Sequence, residues 1–101
     1  MTNKLASVVN LALQIIPRSK DKEVYALVDA AIDAIKQSGI KYEVCPIETV
    51  LEGTYEEVMQ VALKAQEFCF EAGAEDLLVF MKIQRSRTRD VSIEDKVAKY
   101  R

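Results

Sequence analysis

Two amides, Asn10 and Gln14, stand in the otherwise aliphatic run Ser7 to Ile16 (S-V-V-N-L-A-L-Q-I-I), and a later run carries Phe80, Lys82 and Gln84 at alternate positions. Amide side chains donate and accept together, as the edge of a polar heterocycle requires. A phenyl face attracts a cation, and a lysine can serve a phosphate or pair with a carboxylate. Histidine is absent, which excludes Ser-His-Asp and Cys-His arrangements and removes the commonest transition-metal ligand. Cys45 and Cys69 have no C-x-x-C spacing, and two cysteines without histidine cannot supply the four soft ligands of a structural zinc site. An enzyme would work through Glu52 and Lys82, but no paired-carboxylate or nucleophile signature accompanies them. The residues suit recognition; no enzyme activity and no cofactor are expected.

The totals are consistent with that reading. At 101 residues the chain fits the size of one domain, and a domain of this size buries about two thirds of the surface its unfolded chain exposes. Fourteen Lys and Arg against sixteen Asp and Glu leave a net charge of -2, whereas a domain that neutralises phosphates along a nucleic acid carries a basic excess. Nucleic acid is therefore not expected as a partner. A small ligand or another protein is permitted. The run Leu11 to Ile16 is broken by Gln14 and ends at Pro17, too short for a signal-peptide core or a membrane span. No membrane partner is expected, and two free buried thiols in the cytoplasm are favoured over a disulfide.

The elements that must position these residues follow from periodicity. Ser7 to Ile16 reads as a strand, with Val9, Leu11, Leu13 and Ile15 on one face and Val8, Asn10, Ala12, Gln14 and Ile16 on the other. A helix is expected from about Lys22 to Ser38, capped by Asp21, with Val24, Val28, Ala31, Ile32 and Ile35 as its stripe and Gly39 at its end. From Lys41, K-Y-E-V-C, Pro46-Ile47 and E-T-V-L-E-G predict a β-hairpin. Thr54 with Glu57 forms a capping-box pattern before a second helix, whose stripe is Val58, Val61, Ala62, Ala65, Phe68, Cys69 and Ala72. Asp76 to Gln84 is the fourth strand, followed by the basic run holding Arg85, Arg87 and Arg89, and then a short helix through Tyr100 opened by Ser92 and Asp95. The Arg run reads as a solvated loop or a phosphate contact.

The order β-α-β-β-α-β plus a terminal helix, with both helices on one side, predicts an α+β, ferredoxin-like, four-stranded antiparallel sheet. Its other side would show Val8, Ile16, Leu78 and Phe80 beside Asn10, Gln14, Lys82 and Gln84. Such an apolar patch marks an interface, so sheet-on-sheet pairing in a symmetric oligomer is expected. Asn10 and Gln14 then either meet a small ligand near the subunit boundary or bond across it.

The chain resembles the thiamine-binding-protein family of small ferredoxin-like proteins over nearly its whole length. The resemblance rests on the aliphatic first strand ending in Ile16-Pro17, Val28-Asp29-x-x-Ile32-x-x-Ile35, Ser38-Gly39 and Lys41-Tyr42-Glu43-Val44. It continues through Thr49-Val50-Leu51-Glu52-Gly53, Glu57-Val58-Met59, Lys82-Ile83 and Glu94-Asp95-Lys96-Val97. The Y-E-V and T-x-(I/V/L)-E-G elements are the most specific. It implies a homotetramer, a dimer of dimers, that binds thiamine or its hydroxymethylpyrimidine moiety between subunits without transforming it. The family often has Gly where Cys45 stands and Asp where Gln84 stands. With the resemblance, Thr49 and Glu52 join Asn10, Gln14, Phe80, Lys82 and Gln84 as ligand-binding candidates. Thr49, Asn10 and Gln84 can match an aminopyrimidine edge, and Glu52 or the face of Phe80 suits a thiazolium. Thr49 and Glu52 share a face only if their strand bends near Gly53. The competing reading is a structural or regulatory interaction module with no small-molecule ligand.

Overall fold

The computed structural model describes residues 5–101, and Met1 to Lys4 lie outside them. Four strands form one antiparallel sheet in the order β2-β3-β1-β4: β1 (Val8–Arg18), β2 (Lys41–Val44), β3 (Thr49–Thr54) and β4 (Asp76–Gln84). Helices α1 (Val24–Ser38) and α2 (Tyr55–Glu71) connect them, and a short α3 (Ile93–Val97) runs into a 3-10 turn over Ala98–Tyr100. This is the expected ferredoxin-like α+β arrangement with its terminal helix.

The core lies between the sheet and the two long helices. Val9, Leu11 and Leu13 of β1 and Leu51 of β3 meet Leu27, Ala31, Ala34 and Ile35 of α1 and Val58, Val61, Ala62, Ala65 and Cys69 of α2. The alanines on both helices keep the layers close, and burying the larger residues contributes about 1.5–3 kcal/mol each. Cys69 is inside this core, where its Sγ donates to the Leu27 carbonyl at 3.2 Å. Burial pushes its thiol pKa up, opposed by a backbone hydrogen bond at Ala31. Both cysteines are free.

Several local expectations shift. Strand β1 continues past Pro17 to Arg18. It pairs with β3 only as far as Leu13, so Pro17 is bordered by β4 alone and its missing N–H removes no β3 bond. Helix α1 is capped by Glu23 rather than Asp21, because Ser19 Oγ accepts from the Asp21 and Lys22 amides and holds those residues in a turn. Its buried stripe is Leu27, Ala31, Ala34 and Ile35, rotated from the expected one. Val24 is exposed, and Val28 and Ile32 are half-buried. In α2 the expected stripe holds except at Ala72, which is exposed, and the capping box is complete. Thr54 Oγ1 accepts from the Glu57 amide at 3.2 Å, and Glu57 Oε1 accepts from the Thr54 amide at 2.8 Å.

The side of the sheet away from the helices is only half open. After β4 the chain bonds along the start of β1, with Ala6 N donating to Ser86 O and Val91 N to Val8 O, both at 3.0 Å. It then lays Val91 and Ile93 on the sheet, where both are buried. Residues 90–101 form a strap over the Asn10 end, and Ile16, Leu78 and Phe80 at the other end stay exposed.

Candidate functional site

Strand register sorts the candidate residues before any side-chain geometry is considered. Gln84, Asn10, Glu52 and Lys41 form one rung across all four strands, followed by Lys82, Ala12, Val50 and Glu43. Gln14 with Phe80 and Ile16 with Leu78 continue the same face toward the open end. Leu13, Thr49 and Val44 form a rung of the opposite, helix-facing side. Six of the seven candidates therefore share a face, and Thr49 is on the other. Strand β3 does not bend enough to reunite Thr49 with Glu52.

On the shared face, the first rung holds the strap. Asn10 is 4% exposed. Its Nδ2 donates to Val91 O at 3.1 Å and to Glu52 Oε1 at 3.4 Å, and its Oδ1 accepts from Lys96 Nζ at 2.9 Å. Glu52, with its side chain 14% exposed, also accepts from the Ile93 amide at 2.6 Å and faces Lys41 Nζ at 3.6 Å. The carboxylate thus satisfies an otherwise orphan donor in the first turn of α3, assisted by Ser92, which accepts from the Asp95 amide. Arg101 pairs with Glu43 at the far end. A cleft of about 360 Å³ remains beneath α3, floored by Asn10, Ala12 and Val50, walled by Ile93 and Val97, and edged by Lys82 and Gln84. Lys82 is paired with Glu48 at 3.2 Å. The polar groups of this floor already have partners within the chain.

Thr49 sits in a different cleft, of about 270 Å³, at the end of the helix layer. Its floor is Leu13 and Thr49, its α1 wall is Tyr25, Val28, Asp29 and Ile32, and the β2–β3 turn closes the third side with Ile47 and Glu48. The turn is pinned by the Cys45 amide, which donates to Glu48 O at 2.9 Å. Val28 and Ile32, the helical residues left out of the core, form the apolar wall here. Gln14 also borders this cleft. Thr49 is 7% exposed, and its hydroxyl has no hydrogen bond to the described residues. No buried side-chain oxygen or nitrogen among them lacks a partner, so the Thr49 oxygen must open onto the cleft. The mouth is rimmed by Tyr25 and Ile47, 76% and 74% exposed, with Val44 beside them.

Phe80 is exposed near neither floor and belongs to the apolar end of the sheet with Ile16 and Leu78. The basic run forms no collected anion site: Arg85 lies over the Tyr55 ring at 4.7 Å. Sequence reasoning missed Tyr25 and Asp29. The available signal was Tyr25 itself, a large aromatic in the first turn of α1 and outside the apolar stripe. Among the described residues no helix is long and apolar enough to cross a membrane.

Residues 11–101 match the family model described as Thiamine-binding protein. A UPF0045 protein of Clostridium perfringens is 38% identical over 92 residues, covering 91% of this chain and 96% of that protein. Among solved structures, a domain of unknown function, DUF77, from Bacillus cereus is 38% identical with a TM-score of 0.90, covering 100% of this chain and 96% of that one. A candidate thiamine biosynthesis/salvage protein from Thermotoga maritima is 30% identical with a TM-score of 0.82, covering 93% of this chain and 99% of that one.

Proposed function

The chain belongs to the thiamine-binding protein family, and on that premise we propose that it binds thiamine or its hydroxymethylpyrimidine moiety in the Thr49 cleft, without transforming it. One observation carries the choice of cleft: a hydroxyl free to donate and accept stands on the floor of a mainly apolar hollow. An aminopyrimidine is a flat apolar ring with a donor beside ring-nitrogen acceptors, and the Thr49 hydroxyl, which can donate and accept, complements that edge. The volume is just below the range of about 300–1,000 Å³ usual for small-molecule pockets, which suits a single heterocycle. Tyr25 offers its face to a cationic ring at the mouth, and Asp29 offers a carboxylate. Asn10 and Glu52 serve the strap instead. In this reading Thr49 serves recognition of the ring edge.

The protein acts as a homo-oligomer, and a dimer of dimers is favoured. Two separate apolar patches support this, one at the cleft mouth (Tyr25, Val44, Ile47) and one on the bare sheet end (Ile16, Leu78, Phe80). Two distinct two-fold contacts are what such a tetramer needs. A partner covering Tyr25 and Ile47 would close the ligand site between subunits. The free thiols Cys45 and Cys69 support a reducing, cytoplasmic setting. The same exposed patches would also serve a pure interaction module.

Isothermal titration calorimetry with thiamine and with hydroxymethylpyrimidine separates the two readings. Saturable heat that is lost in Thr49→Val and retained in Gln84→Ala is the expected result. No heat from either compound, on a folded oligomer, would move the assignment to the interaction module.

A further inference from the structure

The charges around the Thr49 cleft are all of one sign. Asp29 and Glu48 line it, and no lysine or arginine does. Helix α1 begins beside it, and a helix N-terminus is otherwise a ready anion site. That end is already occupied by a carboxylate, since Glu23 Oε2 accepts from the Ala26 amide at 3.3 Å. Lys82 and Lys96 belong to the opposite face of the sheet, where Lys82 is paired with Glu48 at 3.2 Å and Lys96 is bonded to Asn10 at 2.9 Å. Glu48 is therefore partly compensated, which leaves Asp29 as the carboxylate without a paired cation among the described residues.

We propose that the Thr49 cleft is selective for the unphosphorylated form of its ligand and discriminates against the phosphate esters; this rests on the thiamine-binding reading above. A thiazolium brings one positive charge toward Asp29 and gains by it. A phosphate ester adds about 1.5–2 negative charges near neutral pH and must place them in a cleft lined by Asp29 and Glu48 and by no lysine or arginine. Like charges brought together repel, so the ester loses affinity where the cation gains it. The free cation should bind at least about tenfold more tightly than its monophosphate, a difference of about 1.4 kcal/mol.

Calorimetric titrations with thiamine, thiamine monophosphate and thiamine diphosphate, at one pH and ionic strength, test this. The expected order is thiamine tightest, with both esters weaker. Asp29→Asn should narrow the gap; Asp29 is exposed on α1, so that replacement leaves the core untouched. Saturable thiamine binding with esters of equal or greater affinity would overturn the selectivity while leaving the binding assignment intact. An unchanged ratio in Asp29→Asn would overturn the role given to Asp29. Absence of saturable binding by all three compounds would remove the binding assignment itself.

Discussion

Lys96 Nζ donates to Asn10 Oδ1 at 2.9 Å, joining α3 to the first residues of β1 across 86 residues of sequence. Around that contact Asn10 also donates to the Val91 carbonyl and to Glu52, and Glu52 accepts from the Ile93 amide. A candidate ligand amide in the sequence is thus the fastening of the C-terminal strap.

Removing that fastening should destabilise the protein measurably. Asn10→Ala leaves buried partners unsatisfied and should cost about 1–3 kcal/mol, and Lys96→Ala about 0.5–1.5 kcal/mol. The two losses should not add, with a coupling of about 0.5–3 kcal/mol in a double-mutant cycle read from urea unfolding. Additive losses would mean the bond does not fasten the strap.

Gly53 stands where a side chain would be crowded. A Cβ there would meet Glu57 Oε1 and Ile40 Cδ1, both at 3.0 Å. Glu57 is the capping-box partner of Thr54, so Gly53→Ala should disturb the start of α2 at a cost of about 0.5–2 kcal/mol. At this chain length about 1 kcal/mol lowers the melting temperature by roughly 4–8 °C. The same substitution in a Glu57→Ala background should cost less, because one of the two obstructing groups is gone.

Much of the architecture was legible because hydrophobic period and turn chemistry agreed. The β1 alternation put Val9, Leu11 and Leu13 in the core, and Thr54 with Glu57 opened α2 as their spacing indicates. The strap was not legible. Val91 and Ile93 bury their side chains through partners more than 40 residues away, and no local period records such a contact. The rotation of the α1 stripe has the same origin. Val28 and Ile32 satisfy helical spacing, but the core does not reach them, and they wall the Thr49 cleft instead. For the site, strand parity alone separated Thr49 from Glu52; Asp29 stood in the Val28-Asp29-x-x-Ile32 element without a role attached to it, and Tyr25 had no motif to announce it.

Cys69 predicts a pH dependence with a definite sign. Burial raises its thiol pKa in the folded state above the ordinary value of 9.0, so the folded chain holds that proton more tightly than the unfolded chain. Its contribution is fully present below pH 9.0 and is lost as pH rises through the folded value, at up to about 1.4 kcal/mol per pH unit. Urea midpoints taken from pH 8 to 10 should fall more steeply in the native protein than in Cys69→Ala. Parallel curves would contradict the assignment.

Phe80 should report on assembly. It is exposed beside Ile16 and Leu78 on the bare end of the sheet, so Phe80→Glu places a charge in any sheet-to-sheet contact and leaves the core untouched. Light scattering after gel filtration should show a smaller particle than the native protein with an unchanged circular dichroism spectrum. An unchanged mass would place the subunit contact elsewhere.

The central claim concerns which cleft receives the ligand, and amide chemical shifts measured during a thiamine titration test it most directly. Saturable shifts concentrated at Thr49, Gln14, Tyr25 and Asp29, with Ile93 and Gln84 little changed, are predicted. Shifts concentrated at Asn10, Gln84, Ile93 and Lys96 would contradict the assignment and place the ligand beneath the strap.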